Sequence, residues 1–250
     1  MADIPKQVTE VLDVLKTEMP SVLGGDLVGI YLYGSLTQNA FNSGRSDIDC
    51  VIVTRSEITE RQFGDLEDWF ACSTKVNPWT TRLQASILTR DEILKMDSSG
   101  CLYQFGKLTR SGSDGNPIIW LNILDSGVTL CGESPQDFVP EIKPPDIFEA
   151  LKREVNYLRD EFENPESEWS DRPKYRAYAV LTVCRILFTH AKGKVASKPR
   201  AAIWACRKFP AEFHAAIQQA LTAETDDDIG HIAIETIIAM LNHADAALHA

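Results

Sequence analysis

A Gly-Ser break followed by an Asp-x-Asp strand start constrains this 250-residue chain more than any other feature. Residues 27–33 read as a short apolar strand that Gly34-Ser35 interrupts. Past a polar loop containing Asn39, Asn42, Ser43 and Gly44, Ser46-Asp47-Ile48-Asp49 opens a second strand, Cys50-Val51-Ile52-Val53. Residues two apart on a strand point to the same side. Asp47 and Asp49 therefore present two carboxylates to one spot, with Ile48 turned to the core. Paired acids suit Mg²⁺, which takes hard oxygen ligands and shares its shell with substrate phosphates. Gly34 leaves room for a phosphate to approach the backbone, and Ser35 can donate through its N–H and its hydroxyl. The plain alternative is a turn and a strand whose two acids face solvent. An Asp-x-Asp alone is common, but the Gly-Ser turn and the apolar strands on both sides favour the metal and phosphate reading.

Helical spacing of Ile4, Val8, Val11, Leu12, Leu15 and Met19 predicts a first helix that ends near Pro20. Thr59 is placed to cap a second helix, with apolar positions Phe63, Leu66, Trp69 and Phe70. Residues 82–89 read as a third strand, with Leu83, Ala85 and Ile87 on one face and Gln84, Ser86 and Leu88 on the other; Asp91 to Leu94 begin a short helix. Residues 96–117 are rich in Gly and Ser and read as a mobile loop around 102–108, before short apolar runs at 118–124 and 128–130. Pro135, Pro140, Pro144 and Pro145 crowd a linker, so the expected domains are 1–143 and 144–250.

Beyond the linker the pattern is helical throughout. Ile147, Phe148, Leu151, Val155, Leu158 and Phe162 form one stripe, and Tyr178, Leu181, Cys184 and Phe188 align on a helix over 174–191 with Gly193 past its end. Further helices are expected near 199–208 and 211–222, and a last one opening on Asp226-Asp227-Asp228, acids that complement a helix N-terminus. The predicted fold class is α+β: an N-terminal domain of mixed sheet and helices, then a C-terminal all-α helical bundle.

A net charge of −11 argues against a polynucleotide partner, because phosphate backbones need basic surface, and it fits a cationic small substrate. No apolar run approaches a membrane span, and the start lacks the apolar core of a signal peptide. Cys50, Cys72, Cys101, Cys131, Cys184 and Cys206 show no Cys-x-x-Cys pair and no zinc spacing, so reduced thiols in the cytoplasm are expected. No P-loop, dinucleotide fingerprint or His-Glu-x-x-His occurs.

Gly34-Ser35, the loop and Asp47-Ile48-Asp49 resemble the signature of the nucleotidyltransferase superfamily related to DNA polymerase β. With the helical half behind it, the whole chain looks like the aminoglycoside (3'')(9) adenylyltransferases. The resemblance extends to Asp146-Ile147-Phe148-Glu149-Ala150-Leu151, Leu181-Thr182-Val183-Cys184-Arg185, Lys192-Gly193-Lys194-Val195-Ala196-Ser197-Lys198, Trp204-Ala205 and Phe209-Pro210. It implies a nucleotidyltransferase domain that uses ATP as co-substrate and Mg²⁺, with Asp47 and Asp49 holding metal and Gly34, Ser35 and Ser46 cradling the triphosphate. It also implies that Arg185 and Lys198 contact the nucleotide from the bundle, a fixed fork and a point charge. The implied acceptor is an aminoglycoside-type antibiotic such as streptomycin or spectinomycin.

Three departures stand out. The family's general base is a glutamate, and the matching residue here is Gln84, whose carboxamide cannot take a proton from a hydroxyl. The change either traps a complex, or catalysis follows another route, or activity is weak. Tryptophans that the family sets against its drugs align with Leu108 and Leu158, and an acid that closes its drug site aligns with Lys174 or Tyr175. Asp160, Glu161, Glu163, Glu166, Glu168 and Asp171 surround Trp169; this is either a solvated helix end or an anionic rim in which Trp169 and Asp171 bind a cationic drug. The expectation is a monomeric cytoplasmic enzyme that moves AMP to a hydroxyl of a cationic small molecule, releases pyrophosphate, and engages neither nucleic acid nor membrane. The alternatives are a nucleotide-binding protein without turnover and a nucleotidyltransferase for a non-antibiotic acceptor.

Overall fold

Val8, Val11, Leu15, Met19 and Leu23 form the buried stripe of helix α1 (Lys6–Leu23) in the computed structural model, which describes residues 4–95, 99–113, 115–222 and 232–249. The helix runs through Pro20 instead of ending there. Proline removes one N–H and crowds the preceding turn, but Met19 and Leu23 on either side of it are buried, so packing holds the last turn. Strand β1 (Leu27–Leu32) follows and pairs antiparallel with β2 (Ile48–Thr54). Helix α2 (Glu60–Val76) starts on a full capping box: the Gln62 N–H donates to the Thr59 hydroxyl, and the Thr59 N–H donates to the Gln62 side chain. It supplies the crossover that a parallel pair requires, and β3 (Leu83–Thr89) then runs parallel to β2.

Helix α3 (Arg90–Lys95) leads on to β4 (Cys101–Gln104) and β5 (Lys107–Thr109), then α4 (Pro117–Ser126) and β6 (Val128–Gly132). The sheet order is β5-β4-β3-β2-β1-β6. Apart from β2–β3, its pairs are antiparallel, which makes the mixed sheet that the sequence predicts. One face, carrying Ile48, Cys50, Ile52, Leu83, Ala85 and Ile87, packs with α1 and with Phe63, Leu66 and Phe70 of α2 into one apolar core.

Two further segments differ from the sequence reading. The stretch taken as a mobile loop holds the β4–β5 hairpin. Phe105 and Gly106 both have positive φ (53° and 76°), as a tight two-residue hairpin turn demands, and Cys101, Tyr103 and Leu108 are buried. The apolar run after it is a helix, α4: the Asn116 side chain accepts the Ile118 N–H, and Pro117 occupies the first turn, where no N–H is needed.

Residues 1–141 and 142–250 are two compact units. The second is helical in its described residues: α5 (Pro144–Glu163), α6 (Pro173–Lys192), α7 (Lys198–Ala205), α8 (His214–Thr222) and α9 (Ile234–Leu248), with a short 3-10 turn at 211–213. Helix α6 packs against α5, α7, α8 and α9. That explains its nearly continuous run of buried residues from Ala177 to Thr189. It ends on Gly193 in the left-handed region, whose N–H donates to the Thr189 carbonyl. The acids Asp226-Asp227-Asp228 lie outside the described residues, and the described part of the last helix begins at Ile234. Among the described residues no helix is long and apolar enough to cross a membrane.

Candidate active site

β1 delivers the chain to Gly34 at φ 76°, where it leaves the sheet, and Tyr33 keeps its N–H on the Asp49 carbonyl. A Cβ built on Gly34 would stand 2.4 Å from Asp49 Oδ2, so the Asp49 carboxylate lies directly over this backbone. The chain then coils tightly: Gln38 N–H reaches the Gly34 carbonyl at 3.2 Å, and Ala40 N–H reaches Ser35 at 3.0 Å. Gln38 also ties the turn to α4 through Asn122. Inside the coil Ser35 Oγ is buried with no hydrogen-bond partner among the described residues. A buried hydroxyl left unmatched costs free energy unless a ligand meets it.

The loop back to β2 is built firmly. Phe41 is buried in the core, the Gly44 N–H donates to the Asn42 side chain, and the Asn42 N–H donates to Ser46 Oγ at 2.9 Å. Arg82, stacked over Trp79, donates to the Ser43 and Ser46 carbonyls. Ser46 thus spends an oxygen lone pair on its own loop, while its hydroxyl proton remains a donor. Asp47 is exposed just ahead of β2, and Asp49 is half-buried within it. The Asp49 carboxylate over a bare glycine, the unmatched Ser35 hydroxyl, and Asp47 two residues before Asp49 are oxygen donors of the kind that a hard divalent cation shared with phosphate takes.

Gln84 sits opposite Asp49 in the parallel β2–β3 register, about one strand spacing (~4.8 Å) away and on the same sheet face. Ser86, two residues on, pairs with Leu102. That face continues into an open groove of about 310 Å³ lined by Leu102, Gln104, Phe105, Lys107 and Thr109. Leu108, aligned with a drug-facing tryptophan, is buried in the core below the sheet instead.

In the helical unit, Arg185 and Lys198 come to one side chain that the sequence reading placed in a core stripe. The Lys198 ammonium lies 5.2 Å from the ring centre of Tyr178, and the Tyr178 hydroxyl donates to Glu154 Oε1 at 3.4 Å. Burial foremost, then the charge of Glu154, push the Tyr178 phenol well up, with Arg185 acting to lower it. Arg185 Nε is buried with no partner among the described residues. The signal was present in the sequence, since Tyr178 and Arg185 lie seven apart, two turns along one helix face.

Trp169 is half-buried rather than an open platform. It stacks on Tyr175 at 4.6 Å and meets Tyr157, Phe162 and Tyr178 edge-on. The Tyr157 phenol is pushed up to about 12 by burial, with Glu161 and Glu154 adding to it. Asp171 is exposed in the turn before α6, and Leu158 is fully buried. Lys174 lies over the Tyr175 ring at 5.0 Å.

A mixed sheet that carries Gly-Ser and Asp-x-Asp at the ends of adjacent strands, followed by a helical unit, defines a two-domain nucleotidyltransferase. Residues 9–92 match the family model of the nucleotidyltransferase domain, and residues 137–243 match that of the aminoglycoside adenylyltransferase C-terminal domain. The chain thus pairs a nucleotidyltransferase domain with a C-terminal domain of the aminoglycoside adenylyltransferase kind. It is 26% identical over 226 residues to spectinomycin 9-adenylyltransferase of Campylobacter jejuni, covering 84% of this chain and 81% of that protein. It is 24% identical over 243 residues to aminoglycoside (3'')(9) adenylyltransferase of Escherichia coli, covering 89% of this chain and 86% of that one. Its fold matches the crystal structure of the spectinomycin adenyltransferase AAD(9) of Enterococcus faecialis with ATP and spectinomycin: TM-score 0.72, 16% identity, 98% of this chain and 99% of that one.

Proposed function

We propose that the protein binds ATP with Mg²⁺ and transfers AMP to a hydroxyl of a small cationic acceptor of the spectinomycin or streptomycin kind, releasing pyrophosphate. The observation that carries this reading is the Asp49 carboxylate lying over Gly34 beside the unmatched hydroxyl of Ser35. The activities named for the relatives, and the ATP and spectinomycin in the structural neighbour, support it.

Asp47 and Asp49 would hold magnesium, which, when bound, neutralises charge on the phosphates. Gly34 lets the Asp49 carboxylate, and with it the bound nucleotide's metal, come close to the backbone, while Ser35 and Ser46 would donate to the triphosphate's oxygens. Arg185 and Lys198 add two cations, and Lys198 stands at the first position of α7, where the helix dipole also favours an anion. The acceptor hydroxyl attacks the α-phosphorus in line, and the protein contributes mainly positioning. Gln84 orients that hydroxyl without deprotonating it. The groove beside Gln84 would receive the acceptor's ring system, and the acidic stretch around Trp169 suggests Trp169 and Asp171 as further acceptor contacts. The protein acts as a cytoplasmic monomer.

The identity of Gln84 favours a second reading, a nucleotide-binding protein without turnover. Pyrophosphate release from Mg-ATP with spectinomycin, streptomycin and a wider panel of aminocyclitols separates the two: release with one acceptor supports transfer, and binding of Mg-ATP without release supports the second reading. Asp47→Asn is expected to abolish release and weaken Mg-ATP binding in calorimetry. Unchanged affinity would remove the aspartates from the metal site.

A further inference from the structure

The reach of Lys198 is set by a neighbour that the nucleotide does not need to touch. A lysine ammonium rides on four rotatable bonds and loses that freedom when it grips a phosphate. Here its position is restricted beforehand. The ammonium lies over the Tyr178 ring at 5.2 Å, the range in which a cation is drawn to an aromatic face. The ring itself is held at three points. Its hydroxyl donates to Glu154 of α5, the Trp169 ring meets it edge-on at 5.7 Å, and its backbone belongs to α6, the most enclosed helix of the unit. Two turns further along that helix stands Arg185, with Nε buried and unmatched among the described residues.

We propose that Tyr178 is a positioning residue for ATP binding: its ring, anchored on Glu154 and Trp169, holds the Lys198 ammonium ready for the triphosphate, next to Arg185. The inference rests on the reading of Lys198 as a nucleotide contact. It adds that the lysine's contribution is conditional on an aromatic ring from α6.

The test is a double-mutant cycle read by calorimetric Kd for Mg-ATP, on the full chain without acceptor. Tyr178→Leu is expected to raise Kd roughly 3- to 30-fold, the range of a cation–π contact. Tyr178→Phe keeps the ring, so it should stay within about threefold of the parent. In a Lys198→Ala background, Tyr178→Leu should add less than about twofold, because the group it positions is gone. Equal effects of Tyr178→Leu in both backgrounds would overturn the proposal while leaving Lys198 a nucleotide contact. A Lys198→Ala protein with parental Kd would instead overturn the nucleotide role of Lys198, and this inference with it. Far-ultraviolet circular dichroism and melting without ATP check the fold. If Tyr178→Leu fails to fold, Tyr178→Met, an unbranched filler of similar length, takes its place in the cycle.

Discussion

Gly34 is the least replaceable residue of the site. Its φ of 76° disfavours any side chain, and even a methyl group would meet the Asp49 carboxylate at 2.4 Å. Gly34→Ala is expected to cost about 1–3 kcal/mol of stability and to displace Asp49. Urea denaturation measures the first, and a weaker calorimetric affinity for Mg-ATP reports the second. Gln84→Glu tests the chemistry. The exchange barely changes shape, and it adds a base beside Asp49, so single-turnover pyrophosphate release at saturating Mg-ATP and acceptor should rise about 10²- to 10⁴-fold. Equal rates would mean that another group takes the proton. At this scale the sequence speaks clearly where chemistry and conformation coincide, as in Gly34-Ser35 and Asp47-x-Asp49. It speaks faintly about Tyr178: the seven-residue spacing puts it on the face of Arg185, but a tyrosine in an apolar helical stripe looks like core until its neighbours on α5 and α7 are in place.

Among the secondary-structure elements, those with strong local signals were legible. Thr59 announces α2, and the structure adds Gln62 to complete a capping box. Thr59→Ala should therefore lower stability by about 0.5–2 kcal/mol in chemical denaturation while leaving Mg-ATP affinity unchanged, since α2 packs on the sheet face opposite Asp49. Elements whose existence depends on partners were not legible. β4 and β5 are too short for their alternation to stand out among Gly and Ser, and their turn, Phe105-Gly106, lacks the usual Asn-Gly or Asp-Gly pair. α1 passes through Pro20 because buried Met19 and Leu23 outweigh a local rule. α4 carries a proper Asn-Pro start that a short apolar run, interrupted only at Asn122, obscures.

For the whole molecule, the α+β division was legible from the change of period, from alternating strands to continuous helical stripes past the prolines. Mg-ATP at a hundred times its Kd should stabilise the protein by about 2.7 kcal/mol, read as a rise in melting temperature. Asp47→Asn at the same nucleotide concentration should show a smaller rise, and an equal one would point to nucleotide held without the aspartates. The parallel alignment of β2 and β3 has a further consequence, for how the protein acquires its activity. Asp49 and Gln84 become neighbours only after α2 has formed and the chain has looped back, an encounter between distant segments that is slow compared with hairpin closure. Side chains alternate faces, so a slip of one residue would leave Leu83 or Ala85 beside Asp49 and turn Gln84 into the core. During refolding, recovery of a competent site should therefore lag behind recovery of helical content, and misregistered chains would be folded in outline yet chemically inert.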